Sequence, residues 1–527
     1  MKKRILIPEE ISSHLINNLS ADFSIDYQPK FTAKEILEVI GNYNIVIVRS
    51  KTKITSEIIN AGKNLELICR AGTGVDNIDV EAATRRGIPV MNTPGGNTIA
   101  ATEHTMALIL SLCRHVPQAN ISLKSGKWER SKFNGTELYG KTIGIIGLGK
   151  IGREVALRAK SFGMSVIGYD PLISKEVADQ FEVELCDYEK LISSSDIITL
   201  HIPLTDDTKN IISASTINKL KDGVKIINCA RGGLVDEKAV LDGLNSGKIS
   251  GAAFDVYTEE PPKNLELINH PKVVATPHLG ASTEEAQEKI AIQLTEQIKA
   301  WLYNGKLEGC VNAINLKYIN DEKVKPFLEL AEKIGIIHSQ ILKGNFVKVM
   351  LNCYGSFLSK YLYVIKAAYL KGLIQNLASP PINYINSILI ASEMGLSVEE
   401  KILPADKIYS TLFSATVVTN SESLTISGTV MLNNNSLITA IGDYHSEIKP
   451  EGNLLLYYNQ DKPGVLSKVS AVLASFNINI AGLSLSRLGK GLDAMTIINT
   501  DEVVEQNVIN ELMKVEEIRK IYSIRFS

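Results

Sequence analysis

The chain has 527 residues, 45% hydrophobic and 22% charged, with 56 basic and 58 acidic side chains and a net charge of −2. At roughly 150 residues per domain, that length accommodates three to four domains, each able to close its own core without disulfide or metal staples. The near-neutral balance gives no bulk attraction to nucleic acid or to a membrane surface, so neither is expected as a partner and local clusters must carry any anion binding.

The first residues, "MKKRILIPEE", hold only three consecutive apolar positions before Pro8, too few for a signal peptide. No apolar run reaches the ~18–20 residues needed to cross a bilayer, and a cytoplasmic location is expected. Strand-like "KRILIP", "YNIVIVRS", "LELICRAG" and "IPVMNT" then alternate with helical "SSHLINNLS", "TAKEILEVIG" and "VEAATRRG" over residues 1–95. Such alternation predicts a parallel sheet with helical crossovers. A Pro-Gly-Gly turn opens a long apolar helix in "NTPGGNTIAATEHTMALILSLCRHV". Six further strands follow: "TIGIIGLG", "SVIGYD", "DIITLHIP", "VKIINCARG", "GAAFDV" and "VVATPH", the complement of a dinucleotide fold. A second long helix, within "GASTEEAQEKIAIQLTEQIKAWLYNG", closes this block. Two long helices bracketing a complete nucleotide domain suggest that it is inserted into another one.

From about 316 to 450, helical "VKPFLELAEKIGIIHSQIL" and strand-like "FVKVMLNCYG", "SLTISGTVML" and "SLITAIGDYHSEI" suggest an α+β module without a chemical motif. The last 75 or so residues read strand, helix, two strands, helix, strand, a ferredoxin-like βαββαβ unit. The six cysteines are scattered with no C-x-x-C pair, which suits a reducing compartment and argues against a metal site.

Chemistry gathers in four stretches. "GIIGLGKIG" places Gly147, Gly149 and Gly152 between an apolar strand and a helix, where glycines permit a tight turn and close backbone approach to a pyrophosphate. Asp170 follows 18 residues after Gly152, the spacing of a carboxylate on an adenosine ribose, so the cofactor expected is NAD rather than NADP. "CARGG", "DVYTEEPP" and "TPHLGAS" lie at strand ends, where open α/β sheets bind ligands. Histidine as a residue type suits moving a hydroxyl proton in either direction, which makes His278 the candidate; Glu260 would hold its imidazole, and Arg231 suits a substrate carboxylate and its neighbouring carbonyl. A histidine at a strand end is on its own usually structural; the trio together carries the chemistry.

"GLGKIG", "NCARGGLVDE", "FDVYTEEPP" and "TPHLGAST", in this order, resemble the D-2-hydroxyacid dehydrogenase family. The resemblance implies a Rossmann nucleotide-binding domain (98–283) inserted into a flavodoxin-like substrate domain (1–97 and 284–315), with Arg231, Glu260 and His278 catalytic. It implies cofactor contacts from Lys150, Ile151, Ala230 and Asp255 beside the glycines and Asp170. On the other lobe Arg49, Ser50, Lys51 and Arg70 stand at strand ends as cations and a hydroxyl for a phosphorylated 2-hydroxy acid. Backbone N–H groups around Gly72 and Thr73 offer a carboxylate nest, and Asn97 and Glu103 flank the hinge. Trp128-Glu129-Arg130 resembles the family's dimer-forming segment, so a homodimer or homotetramer is expected.

Residues 451–527, with "DKPGVLSKV", are similar to the ACT domain, a small amino-acid-binding module that often pairs side by side. The resemblance implies L-serine as effector, held by Asp461 and Asn479 with Asn459 beside them. Residues 316–450 resemble the α+β intervening domain of the family's long form. The activity implied is NAD-dependent oxidation of 3-phosphoglycerate to 3-phosphohydroxypyruvate, which opens serine biosynthesis. Two other readings stand beside it: a same-family reductase of glyoxylate or hydroxypyruvate, and an NAD-sensing interaction protein.

Overall fold

The computed structural model describes residues 2–431 and 434–526. Met1, Leu432 (the last residue of "SLTISGTVML"), Asn433 and Ser527 lie outside them. The first lobe is a five-stranded parallel sheet in the spatial order Ser24–Tyr27, Arg4–Ile7, Ile45–Val48, Leu67–Arg70, Val90–Met91. In chain order this is 2-1-3-4-5, the flavodoxin-like arrangement. Its central strand, "IVIV", is buried at every residue, as expected for parallel strands covered on both faces.

The second sheet has seven parallel strands, ordered Val273–Ala275, Ile249–Phe254, Val224–Asn228, Ile197–Leu200, Thr142–Ile146, Ser165–Tyr169, Glu184–Leu185. Strand order reverses between Thr142–Ile146 and Ile197–Leu200, so a crevice opens there above the carboxyl ends. The expected strands are present, and two short ones, Ser24–Tyr27 and Glu184–Leu185, extend the sheets.

The helix Thr98–Arg114 buries Met106, Leu108, Ile109 and Leu112 against the second sheet. The helix Glu284–Asn304 buries Ile290, Ala291, Leu294 and Ile298 against Ile5 and Ile7 of the first sheet and Leu15 of the helix Ser13–Ser20. Thr283 Oγ1 caps its start through Ala286 N–H at 3.2 Å, and Gly305, at φ 63°, ends it. Beyond it the chain rejoins the first sheet: Met91 bridges Cys310, and Val311 N–H donates to Val90 O at 2.8 Å. One helix thus belongs to each lobe, and the two form the hinge.

The third sheet is mixed, in the order Ser397–Leu403, Phe346–Tyr354, Leu412–Thr419, Ser423–Val430, Ser436–Ile441, Tyr444–Ile448. Its face is covered by Lys325–Ile341 and Leu362–Ile374, which meet closely at Gly335 and Gly372. The tail sheet is antiparallel, ordered Ile480–Arg487, Asp493–Thr500, Asn453–Gln460, Ile518–Arg525, with two helices on one face. A continuous apolar core runs from Ile5 and Leu294 through Leu330 and Ile334 to Leu456 and Ile524. Gln340 and Arg525 exchange two hydrogen bonds at 2.9 and 3.0 Å across the seam to the tail. Arg85 of the first lobe pairs with Glu393 of the third sheet's helical layer at 2.6 Å.

Candidate active site

Val224–Asn228, Ile249–Phe254 and Val273–Ala275 are parallel neighbours, so the loops after them open on one edge. Those loops carry Arg231, Glu260 and His278. His278 Nδ1 lies 2.7 Å from Glu260 Oε2, and both side chains are 38% exposed, which places them on a cleft wall rather than in a core. Glu260 Oε1 accepts Tyr257 N–H at 3.2 Å, which fixes the carboxylate. A carboxylate only accepts, so Nδ1 carries the shared proton and Nε2 keeps its lone pair for a substrate.

His278 has φ 57°, a left-handed conformation uncommon outside glycine, and the loop around it is correspondingly braced. Fully buried Asp255 accepts Thr276 Oγ1–H at 2.6 Å, Leu279 N–H at 2.7 Å and Gly280 N–H at 2.8 Å. His104, from the hinge helix, adds its Nε2 at 3.1 Å. Burial alone would raise the Asp255 carboxyl, but the bonds from His104, Thr276 and Leu279 hold it below its ordinary range. Asp255 therefore anchors the His278 loop, and its Oδ2, which accepts from Gly280, has a further lone pair for an amide donor. His104 carries no spacing signal in the sequence; it is found only through this contact.

Arg231 is held from its own loop and from the opposite lobe. Buried Asn228 shapes the turn, accepting Ala230 N–H at 3.1 Å and donating to Arg231 O at 2.8 Å. Gly232 lies so close to Tyr257 O that any side chain there would collide, which packs this loop onto the Glu260 loop. Arg231 Nη1 donates to Ala230 O at 2.7 Å, and Nε pairs with Asp76 of the first lobe at 2.8 Å.

Facing this edge, Ile45–Val48 and Leu67–Arg70 run parallel as neighbours and deliver Arg49, Ser50 and Lys51 beside Arg70, Gly72 and Thr73. Glu9, 5% exposed and not singled out from sequence, pins that turn by accepting the N–H groups of Arg49, Lys51 and Thr52 at 2.6, 3.3 and 3.3 Å. Arg70 Nε is buried and has no partner among the described residues. Burial, then the neighbouring Arg231 and Arg49, bring the Arg70 pKa down to about 10, against the opposing pull of Asp76 and Glu9. The group stays cationic at neutral pH, and a buried charged donor without an acceptor is costly. Three neighbouring guanidinium groups, with open donors on Arg70 and Arg231, form a setting that can receive an anion. Thr73 Oγ1 donates to Asn97 Oδ1 at 2.8 Å, tying this loop to the start of the hinge helix. Glu103 is exposed on that helix.

The three loop glycines do three jobs. Gly147 has φ 96° and its missing side chain would meet His201 O; a side chain at Gly152 would meet Gly147 O. Gly149 instead faces open space, with nothing within 4 Å. The helix Lys150–Ser161 begins there without a side-chain cap, so its first N–H groups, at Lys150, Ile151 and Gly152, point to that space. Asp170 accepts Leu148 N–H and Leu172 N–H, both at 2.9 Å, and stands at the loop's flank. This donor set fits a dinucleotide pyrophosphate at a helix N-terminus. Gly149→Val is expected to weaken NAD binding at least tenfold, about 1.4 kcal/mol, with little change in Tm, because it fills the approach without a clash. Gly152→Val is expected to lower Tm as well, and equal melting of the two variants would contradict the division.

In the tail, Asn459 is 4% exposed, its Oδ1 buried and without a partner among the described residues. Asp461 Oδ2 accepts Arg487 Nη1–H at 3.3 Å and Gly491 N–H at 3.1 Å, while Asn479 donates to Asp501 at 2.7 Å. Asp461 thus sits at the Arg487 end of the strand Ile480–Arg487, and Asn479 precedes its other end. Eight residues of strand separate them by about 25 Å. One chain does not bring these two residues to one ligand.

Three family models match. The D-isomer specific 2-hydroxyacid dehydrogenase NAD binding domain covers residues 106–280, the D-3-phosphoglycerate dehydrogenase intervening domain 323–442, and the ACT domain 454–517. The D-3-phosphoglycerate dehydrogenase of Methanocaldococcus jannaschii is 40% identical over 98% of this chain and 99% of its own. That of Bacillus subtilis is 38% identical over 98% of both chains. The Homo sapiens enzyme is 45% identical over 71% of this chain and 70% of its own. Among solved structures, a glyoxylate reductase from Paecilomyes thermophila superimposes with TM-score 0.55 at 31% identity, covering 59% of this chain and 98% of that one. The D-lactate dehydrogenase of Aquifex aeolicus complexed with NAD and lactic acid gives TM-score 0.52 at 27% identity, over 57% and 95%.

Proposed function

The chain belongs to the D-3-phosphoglycerate dehydrogenases of the D-isomer specific 2-hydroxyacid dehydrogenase family, and we propose that it oxidises 3-phosphoglycerate through Arg231, Glu260 and His278. It is an NAD-dependent oxidoreductase with a small-molecule substrate. The observation that carries the residue assignment is the His278–Glu260 pair facing a receptor of three arginines.

Bound NAD supplies the acceptor for the hydride that leaves C2 of the acid. Arg231 binds the substrate carboxylate through its Nη hydrogens and stabilises charge developing at the neighbouring C2 oxygen. His278 Nε2 takes the C2 hydroxyl proton, and Glu260 stabilises the imidazolium that results. Arg70 donates its Nε–H, which has no partner among the described residues, to the substrate's anionic end, with Arg49, Ser50 and Lys51 completing the phosphate rim. Thr73 and Asn97 close the hinge side. Closure of the lobes excludes water, which strengthens each of these charge interactions. Asp170, beside the glycine loop, bonds the ribose hydroxyls and disfavours a 2′-phosphate.

The tail fits an amino-acid effector, and L-serine is the reading we adopt for the chain's biosynthetic setting. Because Asp461 and Asn479 stand at opposite ends of one sheet, the effector site needs two tails side by side, so that Asp461 and Asn459 of one meet Asn479 of the other. This supports a homo-oligomer, as do exposed Trp128 and Tyr139 on the arm after the hinge helix. The test is NADH formation by the purified chain from NAD and 3-phosphoglycerate, with and without L-serine. Turnover that serine suppresses is expected. Absence of turnover overturns the catalytic reading, and turnover indifferent to serine overturns the effector assignment.

A further inference from the structure

We infer that Asp76 is a positioning residue for this reaction, a carboxylate on the first lobe that reaches across the cleft and holds the Arg231 guanidinium in place. This rests on the assignment of Arg231 to the substrate carboxylate.

A guanidinium has five N–H donors in a rigid planar fork. In Arg231 one Nη1–H is donated to Ala230 O at 2.7 Å, and Nε lies 2.8 Å from Asp76 Oδ2 as an ion pair. The hydrogen bond and the ion pair hold the guanidinium from its own loop and from the opposite lobe, and leave the Nη2 hydrogens and one on Nη1 for a substrate. Nη2 lies directly against the backbone of Gly74, where any side chain would collide with it. The fork is thus seated in a slot on the first lobe, although its backbone belongs to the second sheet.

The slot itself is stiff. Asn77, next to Asp76, donates from Nδ2 to Arg49 O at 2.8 Å and Thr52 O at 2.6 Å, and its carbonyl accepts Ile54 N–H at 2.8 Å. Asp79 then caps the helix Val80–Arg85 through Ala82 N–H at 2.9 Å. Asp76 therefore stands on the same braced turn as the Arg49 phosphate rim. Its pairing with Arg231 exists only with the lobes together, so it couples closure to the orientation of the substrate-binding fork. Asp76 also opposes the Arg70 and Arg231 charges, which would otherwise repel one another in the same cleft.

The carboxylate does not stand in for the substrate. A surrogate would occupy the Nη edge, the bidentate face for a carboxylate, whereas Asp76 holds Nε. The two roles differ in sign. Removing a competitor tightens substrate binding; removing a positioning group slows the reaction.

The experiment compares Asp76→Asn, Arg231→Ala and the double variant Asp76→Asn/Arg231→Ala with the wild type. It reads kcat and KM for 3-phosphoglycerate, Kd for NAD and Tm. The Asp76 side chain is 59% exposed, so folding and NAD binding are expected to hold. Asp76→Asn is expected to lose at least about tenfold in kcat, the scale of a misoriented catalytic contact. In the double variant the same substitution is expected to change activity by less than about twofold, because it acts through Arg231. A fall in KM with kcat preserved, wild-type kinetics in Asp76→Asn, or an undiminished effect in the Arg231→Ala background would each overturn the inference. Full activity in Arg231→Ala would overturn the underlying assignment and the inference with it.

Discussion

His278→Ala lowers kcat for 3-phosphoglycerate oxidation by about 10²–10⁴-fold, the usual contribution of a positioned general base. NAD affinity holds, because the glycine loop that binds it lies on other strands of the sheet. Alanine keeps the left-handed strain at φ 57°, so Tm is read alongside, and a loss of kcat far larger than any fall in Tm or NAD affinity marks the effect as chemical rather than structural. Glu260→Gln keeps a hydrogen-bonding group near Nδ1 but removes the charge that favours the imidazolium. It is expected to lose less than His278→Ala, about 10–100-fold, with the double variant no worse than His278→Ala alone. Stopped-flow and steady-state NADH formation read both. Wild-type kcat in His278→Ala would remove this residue from the mechanism.

Arg231→Ala lowers kcat/KM by about 10²–10³-fold, the cost of one charged donor aimed at developing charge in a water-excluded site. KM rises with it, since the substrate carboxylate loses its fork. Arg231→Lys is expected to recover little, because an ammonium cannot donate to Ala230 O, pair with Asp76 and still offer a carboxylate a planar two-donor edge. Near-complete rescue by lysine would mean that charge alone matters at this position. The variant also leaves Asp76 without its cationic partner, beside a less crowded Arg70.

The parts of the molecule that sequence made legible are those where local pattern and tertiary placement coincide. "IVIV" and "TIGIIG" are short apolar runs that can be satisfied only inside a covered parallel sheet, and they lie there. The bracketing helices announced the insertion because long amphipathic segments must bury a face. Ser24–Tyr27 has an exposed or half-exposed side chain at each position and so shows no apolar signal. Ser397–Leu403, "SVEEKIL", is an edge strand dense in charge, as exposed edges often are. "SLITAIGDYHSEI" looks like one strand, but Gly442 and Asp443 fold it into a hairpin, Ser436–Ile441 against Tyr444–Ile448.

At the site, Arg231, Glu260 and His278 announce themselves because each sits at a strand end in a distinctive loop. Glu9, Asp76 and His104 do not. Each works through a partner 40 or more positions away, and nothing in local spacing encodes a contact made by lobe closure or by a hinge helix. The effector residues show the reverse limit. Asp461 and Asn479 match a pattern, yet within one chain they lie at opposite ends of a strand, so a pattern in sequence does not by itself place two residues at one ligand.

In the proposed reaction, arginines facing the His278 base select a phosphorylated acid. One assay tests it most directly: kcat/KM for 3-phosphoglycerate against D-glycerate, which differs only by the phosphate, in wild type and Arg70→Ala. The account predicts that wild type prefers the phosphorylated acid by at least about 10²-fold, the scale of one or two charge-assisted contacts, and that Arg70→Ala erases most of that preference. Equal use of the two acids by the wild type, or a preference that survives loss of Arg70, would contradict it.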